Sequence, residues 1–215
     1  FIGTSTAGIL QTELAYRRRD PNSGVLPADF HYEHTHNTFS PASFVQRYLA
    51  LTGPAVAVSS ACSSSAKVFG NAQRMIAAGL CDAAIVGGVD SLCLTTLYGF
   101  NSLQLVSKNP CKPFDAARDG ISIGEAAGFA LLEKSDEPIG NDQMALLGVG
   151  ESCDAYHMST PHPEGLGARM AMRDALAMAA LQPADIGYIN LHGTATQTND
   201  AAEAKAVHGL LGAHI

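Results

Sequence analysis

The sequence lacks any apolar run long enough to cross a membrane. Its longest uncharged apolar stretches have the length of strands and contain Gly or Ser, whereas a membrane-spanning helix takes about 20 apolar residues. Positive charge is also scarce, because 13 lysines and arginines face 20 aspartates and glutamates. The net charge of -7 gives no general attraction to nucleic acid or to anionic lipid. We therefore expect a protein that binds neither nucleic acid nor membranes.

Cysteine is present, but without the pattern of a disulfide framework. The five cysteines are an odd number and contain no C-x-x-C pair. Reduced thiols fit this usage best, so we expect a cytoplasmic protein. His31, His34 and His36 in "HYEHTH" have a spacing typical of metal ligands, but no thiolate or carboxylate set completes a zinc site. We expect a surface loop there and no metal.

Short β-branched runs alternate with alanine-rich segments along the 215 residues, 47% of which are hydrophobic. Continuously apolar strands separated by helices indicate an α/β fold with a sheet covered on both faces. The charged stretch 133–143, "EKSDEPIGNDQ", contains Pro and Gly and is the predicted internal boundary. Strands are predicted at Ala55–Ser59, Ala83–Gly87, Phe129–Leu132, Met144–Val149 and Ile186–Leu191, and helices at Ser40–Ala50, Cys62–Ala78, Gly167–Ala180 and Ala201–Leu211.

Both ends of the sequence look like interruptions of a domain. The chain opens with "FIGTSTAGIL", an apolar strand leading into a Gly/Ser/Thr turn, without a methionine or the basic segment of a signal peptide. It stops after "EAKAVHGLLGAHI", a helix that reaches its terminating glycine with no closing strand. We therefore expect an incomplete portion of a larger fold.

A cysteine stands at the start of a predicted helix. "GPAVAVSSA" is typical of a buried strand, and the following helix from Cys62 ends at Gly79. A thiol in the first helical turn faces unpaired N–H groups and the positive end of the helix dipole, which favour the thiolate. The small residues Ser63, Ser64 and Ser65 would leave the approach to the sulfur open. Cys62 is thus a candidate nucleophile, and a buried structural cysteine is the alternative.

A histidine stands at the end of a second buried strand. "IGYINLHGTATQTNDAAEAKAV" places His192 where the strand ends, before a Gly-Thr-Ala-Thr turn and a helix. The carboxyl ends of strands in α/β sheets are where such folds bind their ligands. His192 is therefore a candidate site residue, and a capping or core histidine is the alternative.

Four segments together resemble one family. "SSACSSS", "CDAAIVGGVDS", "KPFDAARDGISIGEAAG" and "NLHGTATQTNDAAEA" occur in order over the whole chain. They resemble the β-ketoacyl-acyl carrier protein synthases of fatty acid and polyketide biosynthesis, of the I/II type. With "GESCDAYHMSTPHPEG" upstream of the histidine, the chain looks similar to small ketosynthases encoded with polyene-type lipid pathways.

The resemblance implies a thiolase-like fold, in which two similar α/β halves are layered α-β-α-β-α around the active site. Residues 1–140 would be the N-terminal half without its first strands, and residues 141–215 the start of the C-terminal half. Members of the family are generally homodimers, and ketosynthase-like heterodimers also occur. No cofactor is implied beyond the phosphopantetheine of acyl carrier protein, which carries the substrates.

The implied chemistry is acyl transfer to Cys62 followed by decarboxylative Claisen condensation with a malonyl-carrier thioester. The main-chain N–H of Cys62 would form part of the oxyanion hole, and His192 would donate a hydrogen bond to the enolate oxygen. Thr194 and Thr196 match the hydroxyls that bind the pantetheine arm, and their alternation along an extended turn would put both on one side. Asp200 and Glu203 match the acidic pair that supports a catalytic lysine. Acids at a helix start, favoured by its dipole, are the alternative for this pair.

Several family features are absent from this chain or altered in it. The family's "K-x-x-x-G-H" segment, with its lysine and second histidine, does not occur, and neither does the Gly-Phe-Gly-type loop with the second oxyanion donor. The family's "GFxxGEGAG" reads "GISIGEAAG", with Ile121 for an aromatic residue and Ala126 for a glycine. We therefore expect this chain on its own to have no condensing activity, and detectable elongation would contradict that.

Other functions remain as alternatives. A thiolase shares the fold and a nucleophilic cysteine but uses acyl-CoA, and "HGTAT" argues against it. A non-catalytic ketosynthase-like partner subunit typically lacks the cysteine, and Cys62 argues against it. The basic run Arg17, Arg18 and Arg19 could dock an acidic carrier protein, with a solvated helix end as the alternative.

Overall fold

The computed structural model describes residues 1–137, 139–140 and 142–212. The strands are β1 (Ile2–Gly3), β2 (Ala57–Val58), β3 (Ala83–Asp90) and β4 (Ala126–Glu133). The helices are α1 (Ile9–Arg17), α2 (Ser40–Tyr48), α3 (Ser64–Ala77), α4 (Leu94–Ser102), α5 (Leu166–Ala179) and α6 (Gln197–Leu211), with a π-helical turn at Tyr32–His36 and a 3-10 turn at Pro183–Asp185. Within these described ranges, no helix combines the length and the apolar character needed to span a bilayer.

The chain divides into two compact units. The first contains Phe1–Gly99 and the segment from Ile123 that carries β4. The second contains Phe100–Ser122 and the segment that starts at Ile139. The prediction that a second ketosynthase half begins at residue 141 concerns a division of the family fold and stays a prediction.

The first unit is built on a four-stranded mixed sheet in the order β2-β1-β3-β4. β1 pairs in parallel with both β2 and β3, whereas β3 and β4 are antiparallel along their full length, with Gly87 opposite Phe129. Helix α3 covers one face of this sheet. Val68 and Ala72 of α3 pack against Ala84 and Val86 of β3, and these four side chains form a buried hydrophobic cluster.

Helices α2 and α3 were predicted from the sequence, whereas α1 and α4 were not. α3 ends at Ala77, one residue before the predicted end, because Gly79 adopts φ 67° and donates its N–H to the Ile76 carbonyl, so the chain leaves the helix in a left-handed turn. β4 is longer than the predicted strand and is exposed along nearly its whole length. The expectation of a sheet covered on both faces therefore fails at β4.

Two predicted strands of the second unit are wrong. Residues 144–149 and 186–191 form no strand, because no neighbour among the described residues pairs with their main chains. The first segment lies against α5 instead. A β-carbon at Gly148 would fall 2.9 Å from the Ala179 nitrogen at the end of α5, so this glycine lets the main chain touch the helix. α5 and α6 were predicted, and α6 begins at Gln197, four residues before the predicted start.

Candidate active site

Cys62 lies in a tight turn between β2 and α3. β2 ends at Val58, Ala61 adopts a left-handed main chain with φ 54°, and α3 begins at Ser64. The predicted helix start at Cys62 is therefore wrong by two residues, since the left-handed Ala61 delays the onset of helical geometry. Cys62 is exposed, and the five cysteines, all within the described residues, form no disulfide.

The side chain of Ser64 holds this turn. Its hydroxyl accepts the Ser60 N–H at 2.8 Å and donates to the Ala61 carbonyl at 2.6 Å, so one side chain bonds the main chain at two points of the turn. Ser64 is 1% exposed, which makes both bonds costly to lose. The serines predicted to leave the sulfur accessible thus include the residue that fixes the turn.

Two paired glycines let the start of α3 lie against the sheet. Gly3 of β1 and Gly88 of β3 are partners in the strand register. A β-carbon at Gly3 would fall 2.5 Å from both the Ser64 carbonyl oxygen and the Ser65 nitrogen. A β-carbon at Gly88 would fall 2.7 Å from the Ser65 β-carbon. Because carbon atoms pack at about 3.5–4.0 Å, any side chain at Gly3 would push α3 and the Cys62 turn away from the sheet.

His192 lies in the second unit, at the start of an irregular turn that leads into α6. Glu203 of α6 accepts the His192 N–H at 2.7 Å and the Gly193 N–H at 2.9 Å. The two carboxylate oxygens therefore hold the main chain that carries the exposed imidazole. Glu203 was predicted to support a catalytic lysine, and its contact with this main chain was not predicted.

Asp200 holds the same turn from inside. Its carboxylate is 1% exposed and accepts the N–H of Ala195 at 3.1 Å and of Phe114 at 2.8 Å. Ala195 is fully buried and left-handed, with φ 59°. The Arg118 Nε atom lies 3.5 Å from Asp200 Oδ2, the carboxylate oxygen that accepts the Phe114 N–H. Asp200 and Glu203 thus bind main-chain N–H groups, and their predicted support of a lysine stays a prediction.

The hydroxyls of Thr194 and Thr196 lie on one side of the turn, 2.8 Å apart. The geometry differs from the predicted extended alternation, because the residue between them, Ala195, is left-handed. The turn curls around Ala195 and directs both hydroxyls the same way. Their predicted role, binding the pantetheine arm, stays a prediction.

One segment has a structural role in this site that was not predicted from the sequence. This segment, "KPFDAARD" at residues 112–119, runs along the His192 turn. The Pro113 β-carbon lies 3.1 Å from where a Gly193 β-carbon would be, and Phe114 donates its N–H to Asp200. Arg118 bonds the carbonyls of Thr196 and Gln197, each at 3.4 Å. The only signal in the sequence was an arginine in a family signature, and its partners stand 78 and 79 residues away.

The segment "GESCDAYHMSTPHPEG" forms a loop organised by Asp154. Its carboxylate accepts the N–H of His162 at 2.9 Å and of Tyr156 at 3.1 Å. These bonds, that from His162 first, hold the pKa of Asp154 below its usual value. The loop therefore depends on an ionised carboxylate.

The "HYEHTH" histidines lie on and beside the π-helical turn, where His36 takes part in packing. Its ring stacks against Phe30 with centroids 4.1 Å apart, and its Nδ1 lies 2.7 Å from the Thr12 hydroxyl. Burial lowers the pKa of His36, and the nearby His31 adds to that effect. No three His, Cys, Asp or Glu side chains in the described part of the chain are arranged to hold a metal ion.

The two candidate reactive side chains lie in different units. Cys62 belongs to the first unit, whereas His192, Thr194, Thr196, Asp200 and Glu203 all belong to the second. The structure brings the latter five together within one turn and the helix that follows it. The predicted approach of the Cys62 sulfur to the His192 ring stays a prediction.

Comparison with known proteins gives a consistent result along the chain. The family described as "Beta-ketoacyl synthase, N-terminal domain" matches residues 1–137, and "Beta-ketoacyl synthase, C-terminal domain" matches residues 144–215. Nodulation protein E of Rhizobium meliloti (strain 1021) is 34% identical over 99% of this chain and 53% of its own length. The 3-oxoacyl-[acyl-carrier-protein] synthase 2 of the same strain is 39% identical over 75% of this chain and 41% of its own length.

A solved structure shows the same fold. The ketosynthase in complex with its chain length factor from Xenorhabdus doucetiae matches with a TM-score of 0.86 and 45% identity, over 98% of this chain and 52% of that chain. The predicted thiolase-like α/β fold class is confirmed by this match. The chain spans about half the length of the curated relatives it matches.

Proposed function

Because this chain belongs to the β-ketoacyl synthase family, we propose that the protein it forms is a β-ketoacyl-acyl carrier protein synthase of fatty acid or polyketide biosynthesis. The observation that carries the proposal is the exposed Cys62 thiol in a strand–turn–helix junction fixed by Ser64. Reactive cysteines need an accessible sulfur near positive potential, and a helix start provides that potential.

In the first stage, the Cys62 sulfur attacks the carbonyl carbon of an acyl group carried as a thioester on acyl carrier protein. A carbon–sulfur bond forms to Cys62, the bond to the pantetheine sulfur breaks, and that sulfur leaves with a proton as a free thiol. The exposed position of Cys62 supports this step, because a carrier-bound thioester must reach the sulfur from outside.

In the second stage, a malonyl thioester loses carbon dioxide and the electron pair of the broken bond becomes an enolate. The enolate carbon attacks the acyl carbon on Cys62, which releases the sulfur to take up a proton and leaves a 3-oxoacyl thioester on the carrier. The developing negative charge on the enolate oxygen needs fixed hydrogen-bond donors. We assign one such donor to His192, whose main chain is held by Glu203.

The paired hydroxyls of Thr194 and Thr196 are the proposed contact for the pantetheine arm. The two hydroxyl oxygens lie 2.8 Å apart. Both residues follow His192 on the same turn. Their closeness supports the proposal, because a single pantetheine amide could bond both. No metal ion or further cofactor enters either stage.

The proposed partner is acyl carrier protein, which is acidic in this family. The basic run at the end of α1 is one surface for it, although Arg18 is already paired with Asp29 at 3.0 Å. For the assembly, a homodimer and a heterodimer with a ketosynthase-like subunit are both proposed. The second is favoured by the relative from Xenorhabdus doucetiae, which was solved with its chain length factor. A cytoplasmic location follows from the cysteine usage and belongs to the same proposal.

The test uses the complete protein and an acyl-carrier thioester with a labelled acyl group. We expect label on the peptide that contains Cys62, none in Cys62→Ala, and undiminished label in Cys153→Ala, which removes another exposed cysteine from the other unit. Label that depends on acyl-CoA and never forms from the carrier would favour a thiolase-type enzyme. No adduct from either donor would refute the enzyme and favour a non-catalytic subunit.

A further inference from the structure

The turn that carries His192 has no regular structure of its own. Residues 192–196 belong to no helix or strand, and two of them, Gly193 and Ala195, have left-handed main chains with φ 54° and 59°. A non-glycine residue in this conformation is strained. Such a turn keeps one shape only if its surroundings fix it, so the atoms that bind it decide where His192 and the two threonine hydroxyls lie.

Three charged side chains bind the main chain of this turn. Glu203 takes the N–H groups of His192 and Gly193, and Asp200 takes the N–H of Ala195. Within the turn, these two carboxylates therefore bind main-chain N–H groups and leave the main-chain carbonyls to other partners. The carbonyls that follow in the chain, those of residues 196 and 197, are bonded by Arg118.

Arg118 lies in the second unit and contacts this turn, although the two are almost 80 residues apart in the sequence. Its Nε and Nη2 atoms lie 3.4 Å from the Thr196 and Gln197 carbonyl oxygens, and its Nη1 donates to the Asp115 carbonyl at 3.0 Å. In return, the Gln197 side chain donates to the Arg118 carbonyl at 3.0 Å. A planar guanidinium can serve several acceptors at once, whereas an ammonium group is a single point.

Arg118 also compensates the charge of a buried acid. The side chain of Asp200 is 1% exposed and that of Arg118 is 16% exposed, with 3.5 Å between the guanidinium Nε and the carboxylate. A carboxylate removed from water is unfavourable unless it is paired and hydrogen-bonded. Without Arg118, Asp200 would keep only N–H and amide donors, and its hold on Ala195 would weaken.

We propose that Arg118 is a positioning residue of the active site, which sets the geometry of the His192–Thr196 turn through Asp200 and the two carbonyls. The expected effect of Arg118 on reaction rates rests on the proposed condensing activity, whereas its effect on the shape of the turn does not. Arg118 acts through other groups and need not touch substrate. Its loss should therefore affect the stage that uses His192 and spare the stage that uses Cys62, which lies in the other unit.

The test compares Arg118→Ala and Arg118→Lys in the complete protein with Arg173→Ala as a matched control. Arg173 is an exposed arginine of α5 in the same unit, and it pairs with its neighbour Asp174. Acylation of Cys62 and condensation with the malonyl-carrier thioester are measured separately. In Arg118→Ala we expect unchanged acylation and a fall in condensation on the order of 100-fold, mostly in kcat, because small displacements of catalytic groups have effects of that size.

Two further readouts separate positioning from general damage. Arg118→Lys should recover only part of the loss, since a lysine restores the charge near Asp200 but not the bonds to both carbonyls. Added methylguanidine should raise condensation by Arg118→Ala and leave Arg173→Ala unchanged. Equal loss of both stages in Arg118→Ala, or full activity, would overturn the proposal.

A third readout does not depend on activity. Amide hydrogen exchange of residues 193–197 should accelerate by roughly tenfold or more in Arg118→Ala and stay the same in Arg173→Ala. Unchanged exchange would overturn the proposal even if the enzyme is active. Conversely, a wild-type protein that neither acylates nor condenses would refute the proposed function, while the exchange result would still decide the role of Arg118.

Discussion

Replacing Gly3 with alanine should displace α3 from the sheet. The added β-carbon would lie 2.5 Å from the Ser64 carbonyl oxygen and from the Ser65 nitrogen, and both are main-chain atoms that cannot rotate away. To restore normal contact, the start of the helix must move by about 1 Å. The same helix carries Val68 and Ala72 into the core, so the shift also loosens that packing.

The expected cost of Gly3→Ala is about 2–3 kcal/mol in the free energy of unfolding, the upper part of the range for overpacked cores. Gly88→Ala should cost somewhat less, about 1–2 kcal/mol, because the Ser65 hydroxyl can change rotamer and only the Ser65 β-carbon, 2.7 Å away, then forces a small shift. Gly53→Ala is the matched control. Nothing lies within 4 Å of its added β-carbon, so we expect an effect between no change and a gain of about 1 kcal/mol.

Urea unfolding of the complete protein measures these differences. We expect the midpoint to fall in the order Gly53→Ala, Gly88→Ala, Gly3→Ala, with the dependence on urea unchanged. A Gly3→Ala protein as stable as Gly53→Ala would refute the reasoning, because it would mean that the start of α3 does not lie against β1.

Three further predictions concern the two turns and the loop before α5. Ser64→Ala should lower stability by about 1–2 kcal/mol and slow acylation of Cys62, since two turn hydrogen bonds are lost, and unchanged acylation would contradict this. Glu203→Gln should accelerate amide exchange at His192 or at Gly193, because an amide offers one acceptor oxygen where the carboxylate offers two; wild-type exchange rates at both amides would argue against it. Asp154 has a folded-state pKa below the ordinary 3.8, so its stabilisation of the loop should persist above that pH and be lost as the pH falls through the lower folded-state value. NMR of the loop amides across this range measures the effect, and a loop that opens above pH 5 would contradict it.

The sequence predicts helices well where apolar spacing and an end signal agree. α3 carries its core residues Val68 and Ala72 four positions apart and is followed closely by Gly79, and both features are local. By contrast, residues 144–149 have the apolar character of a buried strand, yet pack on α5. A strand requires a paired neighbour as well as a composition, and pairing is a property of the whole fold.

The sequence proposes the residues of the candidate site, and that proposal stays a prediction, whereas the local geometry around them could be predicted only in part. Cys62 and His192 stand out through their positions after apolar runs and through the family resemblance. The contacts of Asp200 and Arg118 could not be derived in this way, because the hydrogen bond from Phe114 to Asp200 spans 86 residues. Local spacing contains no information about which distant main-chain groups a buried carboxylate will meet.

The turns of Cys62 and His192 are built on the same principle. Each contains a left-handed alanine, Ala61 beside the cysteine and Ala195 beside the two threonines, where glycine would adopt the same main chain without strain. Each is held by a side chain from the first turn of the following helix, since Ser64 bonds Ala61 and Asp200 bonds Ala195.

Alanine in these positions costs about 1–2 kcal/mol of strain, but it restricts the unfolded chain more than glycine does. The hydrogen bonds from the helix offset that strain and leave each turn with few alternative shapes. The proposed condensing reaction would need such turns, because a nucleophile and an enolate donor must be in place before the short-lived enolate forms. Side-chain anchors on the following helices fix each turn in advance, which is how two irregular turns, rather than two strands or helices, could carry the proposed reactive groups.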